Sequence, residues 1–160
     1  MIQDSGTRRG FSTGSVRDCA DGKGRCDLLP LTIIGAHMDD QTLIDIGTYI
    51  YNGDTGLLWD AIMRGAESEA DVLLDVAIHY EEGAKKYDER NWELGQPLHV
   101  YIDSGVRHYL KVLRGDTDEN HQRAFVWNML GAIWTHKHKP ELIDLPFAEK
   151  MLKQGLLSRR

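Results

Sequence analysis

The stretch from residue 79 to residue 92, HYEEGAKKYDERNW, decides the fold because it ends an amphipathic helix and runs into a polar loop. Helical positions advance by about 100° per residue. By that spacing one apolar stripe is formed by Leu73, Val76, Ala77, Tyr80, Ala84 and Tyr87. Glu81 is then expected on the flank of the stripe, partly desolvated, whereas Glu82 and Lys86 point to solvent. A partly desolvated carboxylate needs a metal, a cation or a donor. Glu81 is therefore either a site residue or the partner of Lys85 in an ordinary i,i+4 pair.

The remaining helices can be placed from capping residues and hydrophobic spacing. Helices are predicted after Asp39 or Asp40, at about 57–63, from Ser68 into residues 79–87, from Pro97 to Gly115, and from about 118 to 136, where Thr117 is the expected cap. A short helix follows Pro146. No strand alternation is sustained enough to predict a sheet, so four or five helices with short connections predict an all-α bundle.

Length, charge and cysteine usage restrict the possible functions. The chain has 160 residues, of which 41% are hydrophobic, and this suits one domain with an ordinary core. A formal net charge of -6 argues against a protein that binds nucleic acid mainly through phosphates. Two cysteines without a CxxC pattern favour the reducing cytoplasm over an exported protein, and no apolar run is long enough to span a bilayer.

A second set of polar residues lies at the start of the predicted helix 118–136. Asp118, Glu119 and His121 are oxygen and imidazole ligands of the kind that Mg²⁺ or Mn²⁺ can use, and phosphates of a substrate commonly complete such a shell. The two acids are equally typical of an ordinary helix start. Asn128 falls in the most hydrophobic part of the same helix and must find hydrogen-bond partners. Arg107 can bind phosphate or form a salt bridge with Asp103, four residues earlier.

Several blocks together resemble one family. FSTGSVRD (11–18), GKGRCDLLP (22–30), HYEEGAKKYDERNW (79–92) and YIDSGVRHYLKVLRGDTDENHQRAFVWN (101–128) are similar to the phage and prophage dATP/dGTP diphosphohydrolase domain. That family includes the MazZ-type enzymes and is related to the MazG-like all-α pyrophosphatases. The resemblance implies hydrolysis of a purine deoxynucleoside triphosphate to the monophosphate and pyrophosphate, with Mg²⁺ or Mn²⁺, in a scaffold that is often a homo-oligomer.

The resemblance also assigns roles by position. Glu81, Lys85 and Tyr87 lie in the HYExGAxKY block, Arg107 and His108 form the RH pair, and Asp118, Glu119 and His121 form the acidic block. We expect catalytic roles for Glu81 and Glu119, metal contacts from Glu81, Asp118, Glu119 and His121, and substrate contacts from Lys85, Asn91, Trp92, Arg107 and Asn128. MazG-like relatives carry ExxE and ExxD, whereas Ala84 and Gln122 stand here. Either Asp118 and His121 replace one pair, or the metal shell is smaller.

The predicted organisation is an irregular N-terminal arm, residues 1–30, followed by a single helical domain, residues 31–160. Within that domain, 31–70 resemble an extra helical segment and 71–139 hold the core helices. The competing hypothesis is a noncatalytic helical module that binds a nucleotide or a protein in the same cleft, because the carboxylate set is incomplete.

Overall fold

A computed structural model describes residues 5–157 and confirms the all-α fold class. The described part contains seven α-helices: α1 Leu31–Met38, α2 Gln41–Asn52, α3 Thr55–Met63, α4 Glu69–Lys86, α5 Leu98–Arg114, α6 His121–His138 and α7 Phe147–Lys153. Short 3-10 helices lie at Cys26–Leu28, Asn91–Leu94 and Pro140–Leu142, and two short strands, β1 Arg8–Gly10 and β2 Val16–Asp18, precede the helices. No helix within residues 5–157 is long and apolar enough to cross a membrane.

Most helix ends follow local side-chain chemistry, as expected. Asp40 caps α2 by accepting a hydrogen bond from the Leu43 amide at 2.9 Å. Ser68 caps α4 by accepting from the Asp71 amide at 3.1 Å. Gly53 ends α2 with φ of 71°, a left-handed conformation that glycine adopts without steric cost. These contacts fix where the helices begin and end.

The start of α6 differs from the prediction. The helix begins at His121, and its cap is Asn120, whose side chain accepts from the Arg123 amide at 2.9 Å. Thr117 is therefore not the cap, and Asp118 and Glu119 lie in a bend before the helix. Asparagine is among the best capping residues, and its use here leaves both acids outside the helical ladder.

Helices α5 and α6 form the centre of the molecule and approach each other closely. A Cβ on Gly131 of α6 would lie 2.5 Å from the Tyr101 ring of α5, and one on Gly105 of α5 would lie 2.3 Å from Met129 of α6. Tyr101 and Met129 are fully buried. Two glycines facing two large side chains therefore set the spacing between these helices.

The buried face of α4 is rotated by about 80° from the predicted stripe, on the usual 100° per residue. The half-buried and buried positions are Val72, Val76, His79, Tyr80, Glu82, Gly83, Ala84, Lys86 and Tyr87. Leu73 and Leu74 are 42% and 72% exposed. His79 and Tyr80 pack against the Trp127 ring on α6, and this contact determines the rotation. Glu81 consequently faces outward, whereas Glu82 lies at the flank, so the expectation for these two glutamates is reversed.

The N-terminal segment contains an antiparallel hairpin that the sequence did not predict. Strands β1 and β2 pair with Arg9 opposite Arg17. Both polar groups of the Asn91 side chain bind the backbone of Val16, with N···O distances of 2.9 and 3.0 Å. The buried Gln96 amide donates to the Ser15 hydroxyl at 2.6 Å. The hairpin is thereby attached to the loop between α4 and α5.

Candidate active site

A cavity of about 400 Å³ lies where the hairpin meets the end of α4, the middle of α5 and the start of α6. This volume is in the range of pockets that hold a small organic ligand. Most of the residues that line it are polar or charged, and Val16, Ala20, Ala124 and Trp127 supply apolar surface. The cavity is therefore a candidate site for a ligand of nucleotide size that has both charged and apolar parts.

The cavity concentrates positive charge in a protein whose formal net charge is -6. Its wall includes the six cationic side chains Arg9, Arg17, Lys23, Lys86, Arg107 and Lys111, against the three carboxylates Asp18, Asp118 and Glu119. These counts refer to residues 5–157. Clustered cations in a concave site favour an anionic ligand, because low-dielectric walls strengthen the local field.

One end of the cavity holds a triangle of possible metal ligands, formed by His108, Glu119 and His121. The Nδ1 atoms of His108 and His121 are 2.9 Å apart. The Glu119 Oε1 atom lies 3.5 Å from the Nδ1 atom of His108 and 3.8 Å from the Nδ1 atom of His121. A point equidistant from the three atoms lies about 2.0 Å from each, which is the usual bond length between a first-row divalent ion and imidazole nitrogen or carboxylate oxygen. The triangle therefore has the size that a metal ion requires.

The protonation state of His108 and the second contact of His121 also suit a metal. Burial lowers the pKa of His108 to about 3, so its imidazole is neutral and has a nitrogen lone pair available. The side chain of His121 is 1% exposed, and its Nε2 atom lies 2.6 Å from Asp118 Oδ1. This hydrogen bond holds the pKa of Asp118 below its ordinary value. A carboxylate on the far nitrogen of a histidine is the usual arrangement that orients an imidazole toward a metal.

Another part of the cavity wall is built around Arg17 of β2. Its Nε donates to Gln96 Oε1 at 2.8 Å, and one of its terminal nitrogens donates to Asn128 Oδ1 at 2.9 Å. The guanidinium lies 5.3 Å from the centre of the Tyr101 ring and 5.4 Å from that of Trp127. Asn128 thus has the hydrogen-bond partners that its burial requires, since its amide also donates to the Ala124 carbonyl.

The structure brings part of the predicted site together in this cavity. Asp118 and Glu119 line it, as do Asn91, Arg107 and Asn128, and His121 lies directly behind them. Asn91 binds the backbone of the hairpin, and Asn128 binds the guanidinium of Arg17. Arg107 donates to Asp103 at 2.6 Å and to the Gly24 carbonyl at 2.7 Å. These three side chains therefore shape the cavity wall through their protein contacts.

Three other predicted residues lie outside the cavity wall. Glu81 and Lys85 are exposed on the outer side of α4, so within one chain Glu81 does not join the carboxylates before α6. Trp92 packs edge-on against Trp134 and Tyr80, with ring centres 5.3 and 5.8 Å apart, in an aromatic cluster. Lys86, which was expected to face solvent, is the lysine of this block that lines the cavity.

Sequence reasoning also missed residues that the cavity uses. Arg17, His79 and Gln96 line it without having been selected, and His108 was matched only as part of the RH pair. Arg17 lies in the block FSTGSVRD, which contributed to the family resemblance, so that block was the available signal. His79 begins the HYExGAxKY block and had the same kind of signal, whereas Gln96 carries no pattern that distinguishes it from a structural residue.

The comparison with known families covers the helices that build most of this site. The sequence model of the family described as "dATP/dGTP diphosphohydrolase, N-terminal" matches residues 54–145, more than half of the chain. The matched segment includes α4, α5 and α6 and therefore the His108, Glu119 and His121 triangle, whereas the hairpin lies before it. No curated protein and no solved structure gives a match. The family match confirms the resemblance: the chain belongs to the dATP/dGTP diphosphohydrolase family and is an enzyme of that class.

Proposed function

We propose that this cavity binds a purine deoxynucleoside triphosphate, dATP or dGTP, and that the enzyme hydrolyses it to the monophosphate and pyrophosphate. The observation that carries the proposal is that one cavity combines a metal-ligand triangle with six cationic side chains. A triphosphate needs both, since its oxygens bind divalent ions and its remaining charge needs cations.

His108, Glu119 and His121 are the residues that would hold a divalent ion, with Asp118 close by. Such an ion supplies Lewis-acid polarisation of the α-phosphate and lowers the pKa of a bound water. Two imidazoles in the set fit Mn²⁺ better than Mg²⁺, which prefers oxygen ligands. The set of three therefore replaces the four-carboxylate arrangement of MazG-like relatives.

The protein's own side chains would orient the substrate and accept the proton that the attacking water releases. The Asp118 side chain is 54% exposed and ionised at neutral pH, so it can accept a proton from the attacking water. Lys86 lines the same cavity, with its ammonium 3.6 Å from Asp18. Its role in this proposal is to bind phosphate oxygens as charge moves onto the departing pyrophosphate.

A direct assay tests the proposal. The pure protein is incubated with each of the four deoxynucleoside triphosphates and with Mg²⁺ or Mn²⁺, and the products are separated by anion-exchange chromatography. We expect monophosphate and pyrophosphate in equal amounts from dATP or dGTP. Orthophosphate in place of pyrophosphate would contradict the proposed bond cleavage, and binding without turnover would favour a noncatalytic nucleotide-binding module.

The two glutamates that sequence reasoning assigned to catalysis can be separated by a matched pair of variants. Glu119→Gln is expected to reduce kcat at least 100-fold, because it removes the only carboxylate of the ligand triangle. Glu81 is exposed outside the cavity, so Glu81→Gln retains activity if the site is complete within one chain. If both variants are inactive, mixing them distinguishes two explanations. Recovered activity would mean that Glu81 reaches the site of a second copy.

We also propose a homo-oligomer in the cytoplasm, which is the host cytoplasm if the gene is carried by a phage. Leu73, Leu74 and Ile78 on the outer side of α4 are exposed, and Glu81 and Lys85 share that side. A stripe with apolar residues and opposite charges is complementary to itself across a two-fold axis. Light scattering after size exclusion gives the subunit number, and Leu74→Glu is expected to reduce it. A chain that is monomeric at assay concentration would contradict the proposal.

A further inference from the structure

Arg17 differs from the other cations of the cavity in what surrounds it. Its two hydrogen-bond acceptors are the neutral amides of Gln96 and Asn128, and its ring neighbours are the neutral Tyr101 and Trp127. Within residues 5–157, no carboxylate forms an ion pair with it. The nearby Asp103 is already paired with Arg107 at 2.6 Å.

A desolvated cation without an anion is unfavourable, because the protein replaces only part of its hydration. Burial lowers the pKa of Arg17 to about 10, which still leaves the guanidinium charged at neutral pH. The neighbouring Arg9, opposite Arg17 in the hairpin, adds a second positive charge. This part of the wall therefore retains a local excess of positive charge.

The orientation of the guanidinium is fixed by its neighbours. Gln96 is fully buried, and its amide nitrogen is held by Ser15 while its oxygen binds the Nε atom of Arg17. Asn128 is held by the Ala124 carbonyl and binds one terminal nitrogen. A guanidinium has five N–H donors, so those on its remaining edge are available to a ligand. A fixed planar donor edge matches the oxygens of a phosphate in two parallel bonds.

We propose that Arg17 is a phosphate-binding residue of the cavity and that Gln96 and Asn128 are positioning residues, which act by holding the Arg17 guanidinium. The ligand class is a di- or triphosphate anion. This inference rests on the proposed function for its biological substrate. It concerns a residue before the family-matched segment 54–145, so the hairpin takes part in substrate binding.

Binding of inorganic pyrophosphate to the full chain in EDTA tests the proposal, since this probe has no base and the buffer contains no metal. Isothermal titration calorimetry is expected to show at least 10-fold weaker binding for Arg17→Gln than for wild type. Arg25→Gln is the matched control, because Arg25 is exposed and pairs with Asp27 at 2.7 Å, and neither residue lines the cavity. Its affinity is expected to stay within about 2-fold of wild type.

A second variant keeps the test decisive if Arg17→Gln does not fold. Gln96→Glu has nearly the same shape, can still bind Ser15 and places an anion against the Nε atom of Arg17. It should fold with an unchanged or higher melting temperature and bind pyrophosphate at least 10-fold more weakly. Pyrophosphate affinity equal to wild type in this variant would overturn the proposal.

The outcomes separate this proposal from the proposed function. If wild type binds pyrophosphate through Arg17 but hydrolyses no nucleotide, the anion site stands and the enzymatic assignment fails. If wild type is active and Arg17→Gln retains both its pyrophosphate affinity and its KM, Arg17 is structural only. Loss of purine preference with unchanged pyrophosphate affinity would assign Arg17 to the base and would also refute the proposal.

Discussion

The two hydrogen bonds between Asn91 and the Val16 backbone attach the hairpin to the helical domain, and Asn91→Ala removes both. A hydrogen bond contributes about 0.5–1.5 kcal/mol net, so the loss is about 1–3 kcal/mol for detachment of the hairpin. Because these groups are only part-buried, water can replace some of the loss. The lower half of the range is therefore expected.

Hydrogen exchange measures this effect at the residue itself. A cost of about 1–2 kcal/mol corresponds to roughly 5–30-fold faster exchange of the Val16 amide if opening of the hairpin exposes it. The global free energy of unfolding, measured in urea, should change less, because α5 and α6 do not depend on this contact. KM for the nucleotide should rise, since the hairpin carries Arg17.

A neighbouring variant provides the control. Glu93 forms an exposed ion pair with Arg90 in the same loop, at 2.5 Å, and such pairs contribute little to stability. Glu93→Gln should leave the exchange of Val16 within about 2-fold of wild type. If the Val16 amide exchanges equally fast in wild type and Asn91→Ala, the hairpin is not held by Asn91 and the reasoning is refuted.

Three further predictions follow from side chains in the core and the cavity. Burial lowers the pKa of His79 to about 4, so the unfolded state binds an extra proton below pH 6.5. Wild type therefore loses up to about 1.4 kcal/mol of stability per pH unit between pH 6.5 and pH 4. Urea titrations of His79→Gln should show a shallower loss with falling pH, and parallel curves for the two proteins would contradict this. Gly131→Ala should lower stability by about 1–3 kcal/mol, because its Cβ would contact the Tyr101 ring. Gly83→Ala, where a Cβ meets open space, should raise stability by up to about 1 kcal/mol. A change of melting temperature in the same direction for both variants would contradict the packing argument. His108→Gln should weaken Mn²⁺ binding, followed by electron paramagnetic resonance, by 10-fold or more; unchanged affinity would exclude His108 as a ligand.

Features that depend on neighbouring residues in the sequence were predictable. Asp40 and Ser68 cap their helices through contacts three residues away, and Gly53 and Gly115 end theirs in the left-handed conformation. The i,i+4 pair of Asp103 and Arg107 is also local. Such contacts need only the chain's own geometry, so a sequence pattern contains the information.

Features that depend on distant packing were not predictable. The face that α4 buries is set by Trp127, so the choice between Glu81 and Glu82 could not be made from helical spacing alone. Arg17 meets Asn128, which is 111 residues later in the chain. A strand of three residues also lacks the alternation by which strands are recognised. The hairpin and the contacts of its arginine therefore become visible only in the folded protein.

The hairpin also has a consequence for how the site is encoded in the chain. The matched segment 54–145 contains the ligand triangle, whereas Arg9 and Arg17 on the hairpin side of the cavity lie before it. The proposed metal ligands and the proposed phosphate-binding arginine are thus encoded in separate stretches of the chain.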